Sequence, residues 1–384
     1  MAAEIVLDDG TRATASVPAG KSVGSKEDKT VSADLAVQNI EQIIAPVLKG
    51  FDILDQEKLD DKLIELDGTT DKSKLGANAI LAVSLVTARV AAHALNIPLW
   101  KHINNLAGGE VQMPRLLVNL INGGAHSGSS LPFQEYLIIP DTREMSQAVE
   151  IAHQFYEALK NVLVEKLGSE AVGVGDEGGF APNLSDNSAP FALFNEVISK
   201  LEPKSGVKIN FGLDAAANNL KLSNLELKTF YNKIFTDFPI TYLEDPFGET
   251  DLQSFNELLA QYGARAKIVG DDLTTTDPQI IADPKLKQAI NGVIIKPNQI
   301  GTLTETLAAV RQARINGWGV FVSHRSGETN DTFIADLACA VAADGFKLGA
   351  PARGERVAKY NRLLEIEHEV SSTWLLYHFR VHCG

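Results

Sequence analysis

Two patterns of apolar and polar positions divide the chain. Near the start, the runs EIVL and TRATASVP flank Asp8-Asp9-Gly10, which predicts a β-hairpin with glycine at its turn. Residues 31–107 then have mainly helical periodicity. From about Met113 the pattern changes to short apolar runs that close on glycine or polar residues, usually followed by an amphipathic segment. We therefore expect a small α+β domain at residues 1–107 and a larger α/β domain at residues 108–384.

The second part of the chain repeats a strand–helix unit. Its later apolar runs are KINFGLD, ITYLED, AKIVGDD, GVIIKPN, GVFVSH and GFKLGA, separated by helical segments such as Leu303 to Ile315. Eight such units closed into a barrel would bury the strands, which explains their continuous apolar character. The pattern predicts an α/β barrel whose chemistry lies at the carboxyl ends of its strands.

Ionisable residues end six consecutive runs: Asp214, Glu244, Asp271, Lys296, His324 with Arg325, and Lys347. A single charge at a strand end is usually a solvated loop residue, but the ordered series indicates a site. Converging carboxylates repel one another and need protons or a cation, and their hard oxygen atoms favour magnesium. A metal ion and neighbouring cations should also make Lys296 lose its proton more readily than a free lysine, which suits a base.

Overall charge narrows the classes of partner. The chain has 35 Lys and Arg against 49 Asp and Glu, a formal net charge of −14. Such a protein repels phosphate backbones and anionic membranes, so we expect neither nucleic acid nor a membrane as its main partner. An acidic substrate still fits if metal and local cations reverse the sign within one pocket.

The remaining composition is typical of a cytoplasmic protein. Cys339 and Cys383 lie far apart, which suggests neither a disulfide framework nor a thiolate zinc site. The start, MAAEIVLDDG, does not resemble a secretory signal. Polar residues interrupt the most apolar stretch, Ala77 to Trp100, so we expect a buried helix there and not a membrane span.

At the level of motifs the chain resembles the enolases. The segments that carry the resemblance are NGGAHSG, FQEYLI, VGDEGGFAPN, LEDP, VGDDL, KPNQIGT, SHRSGET and KLGAPARGERVAKYN, in that family's order between about Val17 and Glu367. The resemblance implies a small α+β lid domain followed by a modified eight-stranded α/β barrel. It also implies a hydro-lyase that interconverts 2-phosphoglycerate and phosphoenolpyruvate in glycolysis and gluconeogenesis.

The resemblance also assigns roles to individual residues. It implies Lys296 as general base, Glu177 as general acid, and Glu135 and His126 close to the reacting centre. It implies two Mg²⁺ ions, with Asp214, Glu244 and Asp271 as ligands of the first and Ser22, on a mobile loop, as a ligand of the second. The residues that contact substrate would be His126, Gln134, Glu135, Glu244, His324, Arg325, Ser326 and Lys347.

Several segments depart from the family pattern. Lys21 and Val23 flank Ser22 where the family has a small residue and threonine, residues 217–235 look shortened, and SSTWLLYHFRVHCG is an unusual ending. The opening strand with its Ser-Arg-Gly-Asn-Pro motif is not found. The resemblance implies a cytoplasmic homodimer, and we expect its interface to be weakened because the opening strand cannot contribute contacts.

Two other functions remain open at this stage. One is a related enzyme that abstracts the same type of proton from a non-phosphorylated acid, although the cations of SHRSGET and KLGA favour a phosphorylated substrate. The other is an impaired enzyme that serves as a binding or structural protein, although the main chemical residues are present. Turnover with magnesium would separate these alternatives.

Overall fold

The fold is known from a computed structural model. It describes residues 1–21, 24–124, 127–201 and 206–379, with side chains as far as Ser371.

The chain opens with the expected hairpin. Strands β1 (Ala2–Val6) and β2 (Arg12–Ser16) pair antiparallel, with Ala2 opposite Ser16 and Val6 opposite Arg12. Gly10 has a φ of +86°, a conformation that costs glycine little because it has no Cβ. The Asp9 carboxylate accepts a 2.8 Å hydrogen bond from the Thr11 amide, which closes the turn.

Helices follow the hairpin, as the sequence predicts. Their bounds are α1 Ala33–Asn39, α2 Ala45–Leu48, α3 Gln56–Asp67, α4 Ala77–Ala94 and α5 Leu99–Ala107, with a wider helical turn at Ile40–Ile44 between α1 and α2. Among the described helices, α4 is the one long and apolar enough to cross a membrane, but 78% of it is buried inside the protein. It is therefore the central helix of this part of the fold.

A closed barrel of eight strands forms the rest. The strands are β3 Arg115–Asn122, β4 Glu135–Pro140, β5 Ile209–Asp214, β6 Ile240–Glu244, β7 Lys267–Gly270, β8 Gly292–Ile295, β9 Gly319–Ser323 and β10 Gly345–Lys347. Each strand pairs with the next in the chain, and β10 closes the barrel against β3. The predicted fold class, a modified α/β barrel after a small α+β unit, is confirmed.

One strand runs against the others. β4 is antiparallel to both β3 and β5, whereas the remaining neighbours are parallel. No described helix separates β3 from β4, so the chain returns directly. As a result, the amino end of β4 lies beside the carboxyl ends of the other strands.

The other connections are mostly helical. The helices are α6 Met145–Leu167, α7 Ala189–Leu201, α8 Asn224–Asp237, α9 Leu252–Tyr262, α10 Pro278–Ile281, α11 Pro297–Ile300, α12 Leu303–Ile315, α13 Phe333–Ala340 and α14 Gly354–Phe379, with single helical turns at Ser169–Val172, Ala217–Asn219 and Pro284–Gln288. Inside the barrel, seven side chains form a separate buried apolar cluster: Leu117, Leu137, Ile139, Tyr242, Val269, Ile294 and Phe321. The barrel interior is therefore a packed core, and polar groups collect at its rim.

A charged contact joins the first helices to the barrel. Arg89 of α4 holds Asp331, just before α13, in a two-pronged ion pair with N–O distances of 2.8 and 2.9 Å. Asp331 also accepts a 2.7 Å hydrogen bond from the Ser16 amide of β2. Burial acts to raise the pKa of Asp331, but Arg89 and the amides of Ser16 and Phe333 together outweigh burial and hold it below 3.8.

We expect Asp331→Asn to lower the free energy of unfolding by about 2 kcal/mol, because Arg89 loses its charged partner. The unfolded carboxyl titrates near 3.8 and the folded one lower, so the stabilisation is complete above 3.8 and is lost only on further acidification. Denaturant titrations at about pH 5 and about pH 7 should give the same difference between parent and variant. The matched surface variant Asp141→Asn, which loses the exposed pair with Arg115, should change stability by less than about 1 kcal/mol. A difference for Asp331→Asn as small as this would contradict the role of the pair.

Candidate active site

The predicted strand-end residues meet at one rim of the barrel. Asp214, Glu244 and Lys347 are the last residues of β5, β6 and β10. Asp271, Lys296 and His324 come directly after β7, β8 and β9. Glu135 joins them because it opens the reversed strand β4, opposite Asp214.

The Lys347 ammonium is the common partner of three carboxylates at this rim. Its Nζ lies 2.7 Å from Asp214 Oδ2, 2.9 Å from Glu244 Oε2 and 3.2 Å from Glu135 Oε1. All four side chains are at most 3% exposed. Burial alone would lower the pKa of Lys347, but these carboxylates, Asp214 first, raise it well above its ordinary value. Lys347 is therefore a fixed positive charge.

The Glu244 carboxylate shows how crowded the negative charges are. Its pKa is raised to about 7, first by burial and then by Asp214, although Lys347 opposes the shift. The Tyr242 hydroxyl also donates a 2.5 Å hydrogen bond to Glu244. A cation bound beside this carboxylate would stabilise its ionised form, which burial and the neighbouring negative charge destabilise.

Lys296 pairs with Asp271, and both side chains are largely buried. Burial acts to lower the pKa of Lys296, and Arg325 and Lys347 also act to lower it, as the sequence analysis expected. The Asp271 carboxylate outweighs these effects, so the pKa of Lys296 is raised. The sequence analysis expects Lys296 to lose its proton more readily beside a bound metal ion, and that expectation stays a prediction.

A second group of buried ionisable side chains faces the same cleft. Glu135, Glu177 and His324 bring one potential ligand atom each to within 4.8 Å of the others. The pKa of Glu135 is raised well above its usual range, first by burial and then by the Glu177 carboxylate. Asn119 fixes Glu177 by donating a 2.8 Å hydrogen bond to its Oε2.

His324 is a neutral imidazole with a defined tautomer. Burial, followed by the Arg356 guanidinium, lowers its pKa well below the ordinary value. Arg356 lies 2.7 Å from Nδ1 and can only donate, so Nδ1 accepts and Nε2 carries the proton. That Nε2 lies 3.9 Å from Glu177 Oε1.

The segment after β2 lies across the cleft. Glu27 receives Arg325 Nη1 at 3.0 Å and Nη2 at 3.2 Å. The Lys21 amide donates to Ser326 Oγ at 2.8 Å, and the Lys21 ammonium lies 2.5 Å from Asp176. The chain thus contacts the barrel just before Ser22, at Lys21, and again after it, at Glu27. Ser22 itself lies outside the described residues.

All of the predicted residues that the structure describes, except Glu244, line one cleft. Gln134 lines it and donates a 3.0 Å hydrogen bond to Asp214. Glu244 lies beneath the lining, against Lys347. His126 lies outside the described residues.

Comparison with known proteins identifies the family to which the chain belongs. The model for "Enolase, N-terminal domain" matches residues 1–103, and the model for "Enolase, C-terminal TIM barrel domain" matches residues 110–224 and 216–380. The chain belongs to the enolase family. Family membership makes it a lyase, a phosphopyruvate hydratase, which interconverts 2-phosphoglycerate and phosphoenolpyruvate. The family and activity predicted from the sequence motifs are confirmed.

Individual relatives are similar over nearly their whole length. An enolase of Anaplasma phagocytophilum (strain HZ) is 41% identical over 397 residues, which covers 97% of this chain and 92% of the relative. Enolase 2 of Hevea brasiliensis is 40% identical over 96% of this chain and 91% of its own length. Enolase B of Dictyostelium discoideum is 40% identical over 93% and 88%, respectively.

The enolase family implies a divalent metal, and the donor chemistry of the rim fits one. Asp214, Glu244 and Asp271 offer the hard oxygen atoms that such ions prefer. A closer acidic group among the described residues is Asp245, Asp271 and Asp272. However, the Asp245 carboxylate accepts the amides of Asp271 and Asp272 at 3.0 and 2.9 Å, so it has a structural partner for each oxygen.

Residues of the site that the sequence analysis missed include Asn119, Glu27 and Gln299. Asn119 gave a usable signal, because it is a polar residue inside the apolar run LLVNLI. Glu27 gave none, because its contact with Arg325 joins positions 298 residues apart. Gln299 lies within the motif KPNQIGT but had no assigned contact.

We expect Lys347→Met to lower the free energy of unfolding in chelator by about 3–5 kcal/mol, because three buried carboxylates lose their common cation. Added magnesium should stabilise this variant more than the parent, since the site becomes more negative. Denaturant titrations with and without magnesium would measure both effects.

The matched control is Lys72→Met. Lys72 is also a buried lysine between two carboxylates, with its Nζ 2.7 Å from Asp28 and 2.9 Å from Glu305, but it lies outside the rim. This variant should lose stability without any added response to magnesium. Equal magnesium responses of the parent and Lys347→Met would contradict the charge balance described here.

Proposed function

We propose that the residues of this cleft carry out a magnesium-dependent dehydration of 2-phosphoglycerate. The observation that carries the proposal is the convergence of buried carboxylates, lysines and a neutral histidine from successive strand ends on one cleft. Structural ion pairs alone do not require so many buried charges, and burying them is costly.

Lys296 is the proposed base that removes the proton beside the substrate carboxylate. Its ammonium contacts Asp271, so the engagement of Asp271 by a cation would weaken the interaction that holds the Lys296 proton. A bound divalent cation would supply the positive charge that stabilises the extra negative charge on the substrate carboxylate. The proposed ligands are Asp214, Glu244 and Asp271, with Ser22 for a second Mg²⁺.

Glu177 is the proposed acid that delivers a proton to the departing hydroxyl. The leaving group must depart as water, so it needs a carboxylic acid within reach. Support comes from the burial of Glu177, from its anchoring by Asn119 and from the neighbouring Glu135 carboxyl. Clustered buried carboxyls retain a proton more readily than isolated ones.

The remaining polar residues of the cleft are proposed to hold the substrate. Lys347 and Arg325 supply fixed positive charge for carboxylate and phosphate, and Arg can bind either in two-pronged fashion. His324 donates from Nε2, because Arg356 occupies Nδ1. Gln134, Glu135, Ser326, Glu244 and His126 complete the proposed substrate contacts.

We further propose a cytoplasmic homodimer and a boundary between the two domains at residues 107 and 108. The homodimer and the location rest on family membership, and the boundary rests on the change of sequence pattern after α5. Sedimentation at micromolar concentration should give a dimer, and a monomer alone would contradict it.

Two substitutions should separate the proposed base from the proposed acid. Lys296→Ala should abolish both turnover and the exchange of the substrate α-proton with solvent, because nothing removes that proton. Glu177→Gln keeps Lys296 and the metal ligands, so it should still exchange the α-proton while dehydration falls by about 100-fold or more, since an amide cannot deliver a proton.

Both reactions can be followed on the same samples, with exchange measured by NMR in deuterated water and dehydration by the product double bond. Asn210→Ala, a change at a buried residue of β5 outside the cleft lining, controls for general damage to the barrel. Exchange that survives in Lys296→Ala, or dehydration that survives in Glu177→Gln without exchange, would show that the assignment of base and acid is wrong.

A further inference from the structure

Gln299 connects three parts of the site through one side chain. It lies on α11, three positions after Lys296, and is 1% exposed. Its Nε2 donates to Asp271 Oδ1 at 2.9 Å and lies 3.5 Å from Glu27 Oε1. Its Oε1 accepts a 2.7 Å hydrogen bond from the Thr276 hydroxyl.

The orientation of this amide is fixed by its neighbours. Ionised carboxylates can only accept hydrogen bonds, so the amide nitrogen must face Asp271 and Glu27. The amide oxygen must then face Thr276, whose hydroxyl can donate. Rotation of the amide by half a turn would place an oxygen against two carboxylates.

Thr276 extends the connection to the proposed base. Its hydroxyl oxygen accepts a 2.9 Å hydrogen bond from the Lys296 amide. Thr276 also has a φ of +58°, which a β-branched residue rarely adopts. The hydrogen bond that Thr276 donates to Gln299 and the one it accepts from Lys296 support that conformation.

Glu27 extends the connection to the segment across the cleft. It holds the Arg325 guanidinium through both carboxylate oxygens. The main-chain carbonyl of Gln299 also accepts a 3.0 Å hydrogen bond from the main-chain amide of Asp28. One residue thus contacts a proposed metal ligand, the support of the proposed base and the partner of a proposed substrate cation.

We propose that Gln299 is a positioning residue that fixes Asp271 for a divalent cation and sets the Glu27–Arg325 pair at the same time. The proposal rests on the proposed function, in which Asp271 is a metal ligand. Gln299 occupies one lone pair of Asp271 Oδ1, and Lys296 contacts Oδ2, so the direction of the carboxylate is determined before any ligand arrives.

The test is the magnesium affinity of the substrate-free protein with Gln299→Met, which keeps the length of the side chain but removes its polar atoms. Titration calorimetry should give a dissociation constant about 10–100-fold above that of the parent. The KM for 2-phosphoglycerate should rise as well, because Glu27, the partner of Arg325, loses its contact with Gln299.

Ser84→Ala is the matched control. Ser84 accepts the 2.9 Å hydrogen bond of the Leu303 amide at the start of α12, the helix that follows the one carrying Gln299, and it lies outside the site. This variant should lose stability while its magnesium dissociation constant stays within about twofold of the parent. A general weakening of this region would change both variants alike and would overturn the proposal.

Gln299→Asn provides a second test, because the shorter side chain cannot bring its amide to Asp271 and Thr276 at the same time. A magnesium dissociation constant within about twofold of the parent in a folded Gln299 variant would overturn the positioning role. A parent that binds magnesium but forms no phosphoenolpyruvate would overturn the proposed function. The magnesium dissociation constants of the Gln299 variants would then still decide whether Gln299 positions Asp271. A parent that binds no magnesium would overturn both.

Discussion

Carboxylates buried close together must be balanced by positive charge, and this constraint governs the rim of the barrel. Asp214, Glu244 and Glu135 converge on the Lys347 ammonium, while Asp271 pairs with Lys296. Neither set of charges would be stable in a buried site without the other. The same arrangement gives the site its capacity for a divalent cation and for an anionic substrate, because carboxylates and cationic side chains from separate strand ends meet at one rim.

The fold meets this constraint through strand direction. Parallel strands place their carboxyl ends at one rim, and the reversed strand β4 adds Glu135 from its amino end. The apolar cluster inside the barrel keeps the strands rigid beneath the charged groups. Contacts from the first part of the chain then complete the site from above, through Glu27 on Arg325 and Lys21 on Asp176.

Much of this arrangement could be predicted from the sequence, for a physical reason. Buried strands produce continuous apolar runs, so the polar residue that ends each run marks the rim, as at Asp214, Glu244 and Lys347. The direction of β4 could not be derived from its apolar run, since burial alone does not distinguish parallel from antiparallel pairing. The contact between Lys296 and Asp271, which acts to raise the pKa of Lys296, could not be derived from the sequence either, because it depends on tertiary structure. Contacts such as those of Glu27 and Gln299 depend on tertiary structure and leave no periodic signal.

The most direct measurement is the magnesium dependence of turnover by the purified parent chain. 2-Phosphoglycerate should be converted to phosphoenolpyruvate with magnesium present, conversion should stop in excess chelator, and it should return when magnesium is restored. The charge balance at the rim predicts this result, because removal of the α-proton adds negative charge that Lys347 and Arg325 alone do not offset. Full activity in excess chelator, or a folded protein that binds magnesium without any conversion, would contradict it.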